Sequence, residues 1–210
     1  MTLSIPEQLQ HVYWIGGGSG AGKSTIAQRI AVRHGLRVYA TDDVMADHAR
    51  RSSAADCPLL HRFMEMDMDE RWVNRSPQTM LDTFHWFRGE GFNFIIEDLL
   101  NLPREPRIIV EGLRLLPHLV KPLLSEQTRA VWLLPTPDFR QRVIERRSGS
   151  FLAKTSNPEK ALHNLLERDR LFTEKLREET THLGLHAIEV GTITGEDDLA
   201  QQVTNVFSVQ

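Results

Sequence analysis

The sequence predicts an α/β protein in which a parallel sheet lies between two layers of helices. Short apolar or β-branched runs of strand length recur along the 210 residues, and they alternate with longer segments of helical periodicity. Hydrophobic residues make up 40% of the chain, which is enough for a packed core. Strands that alternate with helices form parallel sheets covered on both faces. We therefore expect one three-layer α/β domain that spans residues 1–210.

The predicted elements follow from these runs and from the residues that end them. The helix after the first strand ends at Gly35, and the region 43–104 has mostly helical patterns and no convincing strand. The predicted strands are 12–15, 36–40, 107–111, 130–134 and 186–190. The predicted helices outside 43–104 are 23–34, 138–147, 158–180 and 196–207, with a loop at 148–157.

A phosphate-binding loop is predicted between the first strand and its helix. The residues that match the pattern G-x-x-x-x-G-K-[ST] are Gly17, Gly18, Ser19, Gly20, Ala21, Gly22, Lys23 and Ser24. Glycines let the backbone curl so that its N–H groups face a phosphate, and the following helix adds its N-terminal partial charge. We expect Lys23 to reach the β- and γ-phosphates, Ser24 to bind Mg²⁺, and Thr25 to lie near the α-phosphate.

Two acidic residues follow the second strand. Asp42 stands where a carboxylate would orient an acceptor hydroxyl or take its proton, and the alternative is that it caps the next helix. For Asp43 we favour the helix cap. Both acids lie at the carboxyl end of a strand, the edge at which parallel sheets bind ligands.

A third acid, Glu111, ends the third strand and is followed by Gly112. An apolar strand that ends in an acid is typical of a segment that holds Mg²⁺ or its water ligands. Two alternatives remain open: Glu111 is the base that acts on the acceptor, or its role is purely structural. Arg114 follows closely and is either a contact for an anionic substrate or a solvated arginine.

Arginines cluster after the fourth strand, at positions 140, 142, 146 and 147. Phosphoryl transfer requires cations over the developing negative charge, and the arginine fork suits that role. We assign Arg142 to nucleotide binding and Arg146 to catalysis. Arg168 and Arg170 could close the other side of the site. The alternative is surface ion pairing with Glu145, Glu167 and Asp169.

Two regions are expected to line the remaining parts of the site. Residues 191–195, after the fifth strand, either wrap the nucleotide base or form a plain loop in which Thr194 caps the last helix. The region 43–104 would hold the acceptor, and its arginines and aromatic residues suit an anionic or ring-bearing metabolite. Those residues could equally be surface arginines and core aromatics. They are Arg50, Arg51, Arg62, Arg71, Arg75, Arg88, Trp72, Phe84, Trp86, Phe87 and Phe92.

The loop and its neighbours resemble those of the P-loop kinases that act on nucleosides, nucleotides and small metabolites. The resemblance implies the sheet order 2-3-1-4-5, a helical acceptor-binding region at 43–104 and a mobile lid at 138–180. Asp42 matches the aspartate with which shikimate kinases and chloramphenicol phosphotransferases contact the acceptor hydroxyl, whereas Ala40 replaces a second aspartate of shikimate kinases. The pair Glu111-Gly112 is similar to the corresponding pair in uridine-kinase-like enzymes.

This resemblance implies an ATP- and Mg²⁺-dependent kinase that transfers the γ-phosphoryl group to a hydroxyl of a small metabolite. The alternatives are a nucleoside or nucleoside monophosphate kinase, and a non-kinase ATP-binding switch or accessory protein. The [NT]-K-x-D signal of guanine-specific GTPases is absent, which favours ATP.

Composition narrows the remaining possibilities. The net charge of −3 argues against a nucleic-acid binder, and no apolar stretch is long enough to span a membrane. The single cysteine, Cys57, excludes an intrachain disulfide. We expect a cytoplasmic protein with a small-molecule acceptor as its partner, and the sequence leaves the oligomeric state open.

Overall fold

The computed structural model describes residues 3–146 and 151–208, and it contains one five-stranded sheet in which every pairing is parallel. The order is β2-β3-β1-β4-β5, so the predicted fold class and strand order are confirmed. The strands are β1 Val12–Gly17, β2 Arg37–Ala40, β3 Ile108–Glu111, β4 Ala130–Pro135 and β5 His186–Val190.

The helices surround this sheet, and all except the short helices Ile5–Gln8 and Pro117–Val120 lie in segments in which the sequence predicts helix. Among the described residues, the α-helices are α1 Ile5–Gln8, α2 Lys23–His34, α3 Met45–Arg51, α4 Pro58–Glu65, α5 Met68–Trp72, α6 Pro77–Thr83, α7 Phe92–Asn101, α8 Pro117–Val120, α9 Pro137–Arg146, α10 Pro158–Leu183 and α11 Glu196–Phe207. Short 3-10 turns occur at His85–Arg88, Lys121–Leu123, Gln127–Arg129 and Leu152–Lys154. None of the described helices is both long and apolar enough to cross a bilayer.

The core consists of two apolar layers, one on each face of the sheet. Successive side chains of a strand point to opposite faces, so Val12 and Trp14 of β1 enter one layer while Tyr13 and Ile15 enter the other. Helices α2 and α11 cover the second face. Helices α7 and α10, with neighbouring turns, cover the first. This arrangement is the predicted three-layer sandwich.

The region 43–104 contains no strand and packs against α10. Phe87 stacks on Phe172 with 3.6 Å between ring centroids and an interplanar angle of 8°. The side-chain amide of Asn164 donates to the carbonyl of Trp72 at 3.1 Å. These contacts fix the helical region over one side of the cleft at the carboxyl edge of the sheet.

Two predicted helix caps are wrong. Helix α3 begins at Met45 with Val44 at the N-cap, where no side chain accepts a capping hydrogen bond, because the chain makes a turn after β2 before it becomes helical. Neither Asp42 nor Asp43 therefore caps this helix. At the last helix the N-cap is Gly195, and the Thr194 hydroxyl instead accepts a hydrogen bond from the Gly191 N–H at 3.2 Å.

The lid region differs slightly from its prediction. The described part of helix α9 covers Pro137–Arg146, and α10 continues to Leu183, three residues beyond the predicted end at 180. The predicted loop at 148–157 includes a 3-10 turn. Arg147 and residues 148–150 lie outside the described residues.

Candidate nucleotide and acceptor site

The ends of three neighbouring strands meet at one edge of the sheet. The Gly112 N–H donates to the carbonyl of Ile15 at 3.1 Å, and the Thr41 N–H donates to the carbonyl of Glu111 at 2.9 Å. Gly112 has φ +152°, and a Cβ at this position would overlap the side chain of Thr41. The glycine thus allows the segment after β2 to lie directly against the end of β3, beside the loop that follows β1.

The backbone of the predicted phosphate loop has the conformation that a phosphate cradle requires. Gly20 and Gly22 have φ of +74° and +81°, in the left-handed region that favours glycine. Gly22 is the N-cap of α2, so the amides of the first helical turn face the loop without intrahelical acceptors. A helix N-terminus with free amides binds anions, and the loop backbone therefore fits a phosphate.

Lys23 is buried beneath this loop, and its ammonium group donates to the carbonyl of Gly18 at 2.7 Å. Burial lowers the pKa of Lys23, while the negative charges of Glu111 and Asp42 oppose this shift. Arg140 lowers the pKa further. The lysine therefore lies within electrostatic range of both acids that the sequence places at the site.

The predicted metal pair is brought together. The Ser24 hydroxyl donates to Oε1 of Glu111 at 2.9 Å, although the two residues are 87 positions apart. Burial raises the pKa of Glu111, and the Ser24 hydrogen bond and the Lys23 charge oppose that rise.

A hydroxyl and a carboxylate beside a phosphate loop are the hard oxygen donors that Mg²⁺ uses, since this ion takes one or two carboxylates and the substrate phosphates. The residues present fit the ion. In the described chain no cluster of three or more His, Cys, Asp or Glu side chains forms a protein-only metal cage.

Asp42 lines the same small cavity of about 90 Å³ as Lys23, Glu111 and the loop residues from Ser19 to Thr25. Its exposed carboxylate accepts no hydrogen bond from any residue that the structure describes. An acid without a structural partner, beside the phosphate loop, is placed to interact with a bound hydroxyl.

A second cavity of about 300 Å³ lies on the other side of the loop. Thr192 and Thr194 line it, and so do Arg142 and Arg146, while the base-binding interpretation of 191–195 stays a prediction. Both arginines are exposed and form no ion pair with a described residue. The roles assigned to Arg142 and Arg146 stay predictions, and both residues line this cavity together with Gly20 and Thr25.

Arg140 lies against the phosphate loop at Gly20. A Cβ added at Gly20 would be 3.2 Å from the Arg140 Cδ and 3.3 Å from a terminal guanidinium nitrogen. The guanidinium also donates to Oδ2 of the buried Asp169 at 2.7 Å and 2.9 Å. Sequence reasoning included Arg140 in the cluster without selecting it, because helical spacing does not show which arginine faces the loop.

Asp169 joins Arg140 to the acceptor region. Its Oδ1 accepts from Arg168 at 2.6 Å, and the Arg168 guanidinium lies 4.8 Å from the ring centroid of Phe84. Arg170 pairs instead with Glu167 at the surface. Ion pairs with Asp169 and Glu167, the alternative to a role in catalysis, therefore engage Arg140 as well as Arg168 and Arg170.

A third cavity, of about 230 Å³, lies inside the region 43–104 and is the candidate acceptor cavity. Met45 and Ala46 of α3 line it just after Asp42, and Arg114 lines it three residues after Glu111. The Trp132 indole N–H donates to the carbonyl of Leu115 at 2.8 Å and so fixes the segment that carries Arg114.

Sequence analysis did not identify the polar network behind this cavity. Asp98 accepts hydrogen bonds from Tyr39, His48 and Arg51, each at 2.7 Å. Although burial opposes the change, these hydrogen bonds lower the pKa of Asp98. Burial, with the charge of Arg114, lowers the pKa of His48. The partners lie 47 to 59 positions before Asp98 in the sequence, so no local spacing reveals them.

Comparison with known proteins supports the same fold. No protein-family model matches the sequence, and no curated protein matches it significantly. The deoxyadenosine kinase of M. mycoides, solved with bound dATP, is 13% identical, with a TM-score of 0.50 over 94% of this chain and 99% of that chain. TT1252 from Thermus thermophilus is 17% identical, with a TM-score of 0.50 over 94% of this chain and 96% of that chain.

The sheet order and these structural neighbours define the class to which the fold belongs. The chain has the fold of the P-loop kinases, and its phosphate loop has the sequence and backbone conformation of that class. At this level of identity the likeness shows the fold alone.

Proposed function

We propose that this chain is an ATP- and Mg²⁺-dependent kinase that transfers the γ-phosphoryl group to a hydroxyl of a small metabolite. The observation that carries the proposal is the meeting of Ser24 and Glu111 at 2.9 Å, in a cavity that Lys23 and the unpaired Asp42 also line. A phosphate loop alone fits any nucleotide-binding protein. A free carboxylate beside that loop, near a separate cavity, is what transfer to a second substrate requires.

Each residue has a distinct task in this proposal. The loop amides and Lys23 bind and orient the triphosphate, and Ser24 and Glu111 hold the magnesium ion or its waters. Magnesium, when bound, neutralises charge on the β- and γ-phosphates. Arg140 lies beside Gly20 and is the lid cation whose position best suits charge that develops on the γ-phosphoryl group.

Transfer itself forms one bond and breaks another. The acceptor hydroxyl oxygen bonds to the γ-phosphorus of ATP, the bond from that phosphorus to the β,γ-bridging oxygen breaks, and ADP leaves. The hydroxyl proton passes to the carboxylate of Asp42. Because the Asp42 carboxylate accepts no hydrogen bond within the described chain, the side chain can turn toward the acceptor without breaking a structural contact.

The test is ADP formation from MgATP with and without a pool of small hydroxyl metabolites. We expect the pool to stimulate turnover in the wild type. It should do the same in the control variant Arg33→Ala, which removes an exposed cation from α2, the helix that begins with Lys23. Lys23→Ala should lose turnover while its circular dichroism stays native. Turnover that no metabolite stimulates would favour an ATP-driven switch. A folded wild type that neither binds nor turns over MgATP would refute the proposal.

A further inference from the structure

The cavity of about 230 Å³ lies next to the unpaired acid of the proposed transfer site. Met45 in its wall belongs to the helix that follows Asp42, and the charge of Asp42 is among those that raise the pKa of Arg114, opposing the lowering that burial causes. Aromatic and apolar side chains form most of the remaining wall. They include Leu60, Phe63, Trp86 and Phe94.

Arg114 is buried at this wall without a carboxylate partner among the described residues. It is 2% exposed and donates to Nδ1 of His48 and to the carbonyl of Gly91, each at 2.9 Å, while its Nε finds no acceptor. The nearby Asp98 does not neutralise it directly. Its carboxylate binds Arg51, and His48 stands between it and Arg114.

The hydrogen bonds of His48 also determine the tautomer and the charge of its imidazole ring. Arg114 can only donate, so Nδ1 of His48 must accept, and Nε2 carries the proton that goes to Asp98. A neutral imidazole of this kind positions Arg114 but contributes no charge to balance it. A buried guanidinium without a carboxylate partner is costly in a folded protein, and an anion bound in the cavity would offset that cost.

Arg71 adds a second cation to the same cavity. Its guanidinium donates to the carbonyls of Phe63 and Met64 at 3.0 Å and 2.9 Å, and it forms no ion pair with a described residue. The acid in the lining, Glu90, is already engaged, since it accepts from the backbone amides of Leu59 and Leu60. The lining therefore contains two arginines and one carboxylate, and that carboxylate is already hydrogen-bonded to backbone amides.

His85 supplies neutral hydrogen-bonding atoms to a flat, apolar environment. It is 1% exposed, both ring nitrogens lack a partner within the described chain, and its ring centroid is 4.5 Å from that of Trp86 and 5.1 Å from that of Phe63. A site with aromatic walls and few polar groups suits a planar or apolar body. The cavity volume of about 230 Å³ is below the ~300 Å³ at which pockets for drug-sized ligands begin. A ligand with a single ring therefore fits the cavity better than a nucleotide does.

We propose that this cavity binds a small, single-ring or similarly compact molecule that carries one anionic group, and that Arg114 and Arg71 bind the anion. The identification of this molecule as the phosphoryl acceptor rests on the proposed kinase function, whereas the anion site itself does not. A carboxylate and a phosphate ester would use the same two arginines.

The test uses the Trp86 indole N–H resonance in two-dimensional NMR, assigned with Trp86→Phe. The probes are benzoate, phenyl phosphate and the uncharged benzamide, with excess MgATP analogue to fill the phosphate loop. We expect benzoate or phenyl phosphate to shift the resonance saturably, with a Kd on the order of 1 mM, and benzamide to bind at least ~10-fold more weakly. The anion that binds more tightly shows whether the natural ligand carries a carboxylate or a phosphate ester.

Three variants locate the anion. Arg114→Met should weaken binding by about 30-fold or more, because a buried charged contact is lost, and Arg71→Met at the more exposed edge by about fivefold. Arg62→Met removes an exposed arginine outside the lining and should change nothing. Arg71→Met keeps the test decisive if Arg114→Met does not fold.

Equal shifts with benzamide, no shift with either anion, or benzoate binding that survives both cavity substitutions would each overturn the proposal. This binding experiment can fail without contradicting the kinase function, which the turnover assay tests. Lys23-dependent turnover of MgATP together with a cavity that prefers benzamide would leave the kinase proposal standing and show that the acceptor is uncharged.

Discussion

His85 should make the stability of the protein depend on pH. The ring is 1% exposed, its nitrogens have no partner in the described chain, and burial, together with the charges of Arg114 and Arg168, lowers its pKa from 6.5 to about 3. The unfolded chain takes up a proton near pH 6.5, whereas the folded chain does not until pH is far lower. Stability from this group is therefore fully present above pH 6.5 and is lost as pH falls toward 3.

The magnitude follows from the difference between the two pKa values. Each pH unit in this window changes the free energy of unfolding by about 1.4 kcal/mol per proton. Between about pH 7.5 and about pH 5, the unfolded state takes up nearly one proton that the folded state does not bind, so His85 contributes a loss of about 2 kcal/mol. That is a large part of the stability of a typical domain.

Urea unfolding at about pH 7.5 and about pH 5, for wild type and His85→Gln, measures this contribution. The variant loses stability at both pH values because the site is packed, but its further loss on acidification should be smaller than that of the wild type by about 2 kcal/mol. His186→Gln, which removes an exposed histidine, is the matched control. Equal acid-induced losses in wild type and His85→Gln would refute the conclusion that His85 is buried in its neutral form.

Three further substitutions test the proposed transfer site. Asp42→Asn should leave MgATP affinity unchanged and lower kcat by roughly 10²-fold or more; a normal kcat would exclude Asp42 as the proton acceptor. Glu111→Gln should raise the Mg²⁺ concentration needed for nucleotide binding by about tenfold or more, measured by Mg²⁺ titration, and an unchanged requirement would remove Glu111 from the metal site. Arg140→Met should lower kcat by about 10² to 10³ with little change in nucleotide Kd, whereas an effect on Kd alone would make Arg140 a ground-state contact.

The strands and the phosphate loop could be predicted because their signals are local. In β1, alternate side chains enter opposite apolar layers, and a strand buried on both faces appears in the sequence as one apolar run. The loop motif is contiguous, and its conformation depends on glycines within it, such as Gly20 and Gly22. Local signals of this kind need no knowledge of distant contacts.

The acceptor cavity could not be predicted because its contacts join distant segments. Arg114 donates to His48 and Gly91, which lie 66 and 23 positions away. Whether an arginine is buried or solvated depends on such contacts and not on its immediate neighbours. The Asp43 prediction failed for a related reason, since the turn after β2 delays the start of α3 and leaves both acids outside the helix.

The positions of the charges suggest how one cleft could accommodate two anions. At ~10 Å and an effective dielectric constant of ~20, two unit negative charges repel by about 1.7 kcal/mol, and a triphosphate carries several such charges. In the proposed kinase, Lys23 and Arg140 would face the nucleotide, whereas Arg114 and Arg71 line the other cavity. Asp42 is within electrostatic range of both Lys23 and Arg114. Each anion would then contact its own pair of cations, and Asp42 would interact with the neutral hydroxyl of the acceptor. Burying the Arg114 guanidinium without a carboxylate partner costs free energy. An anionic acceptor would offset that cost and an uncharged acceptor would not, so the burial of Arg114 favours an anionic acceptor.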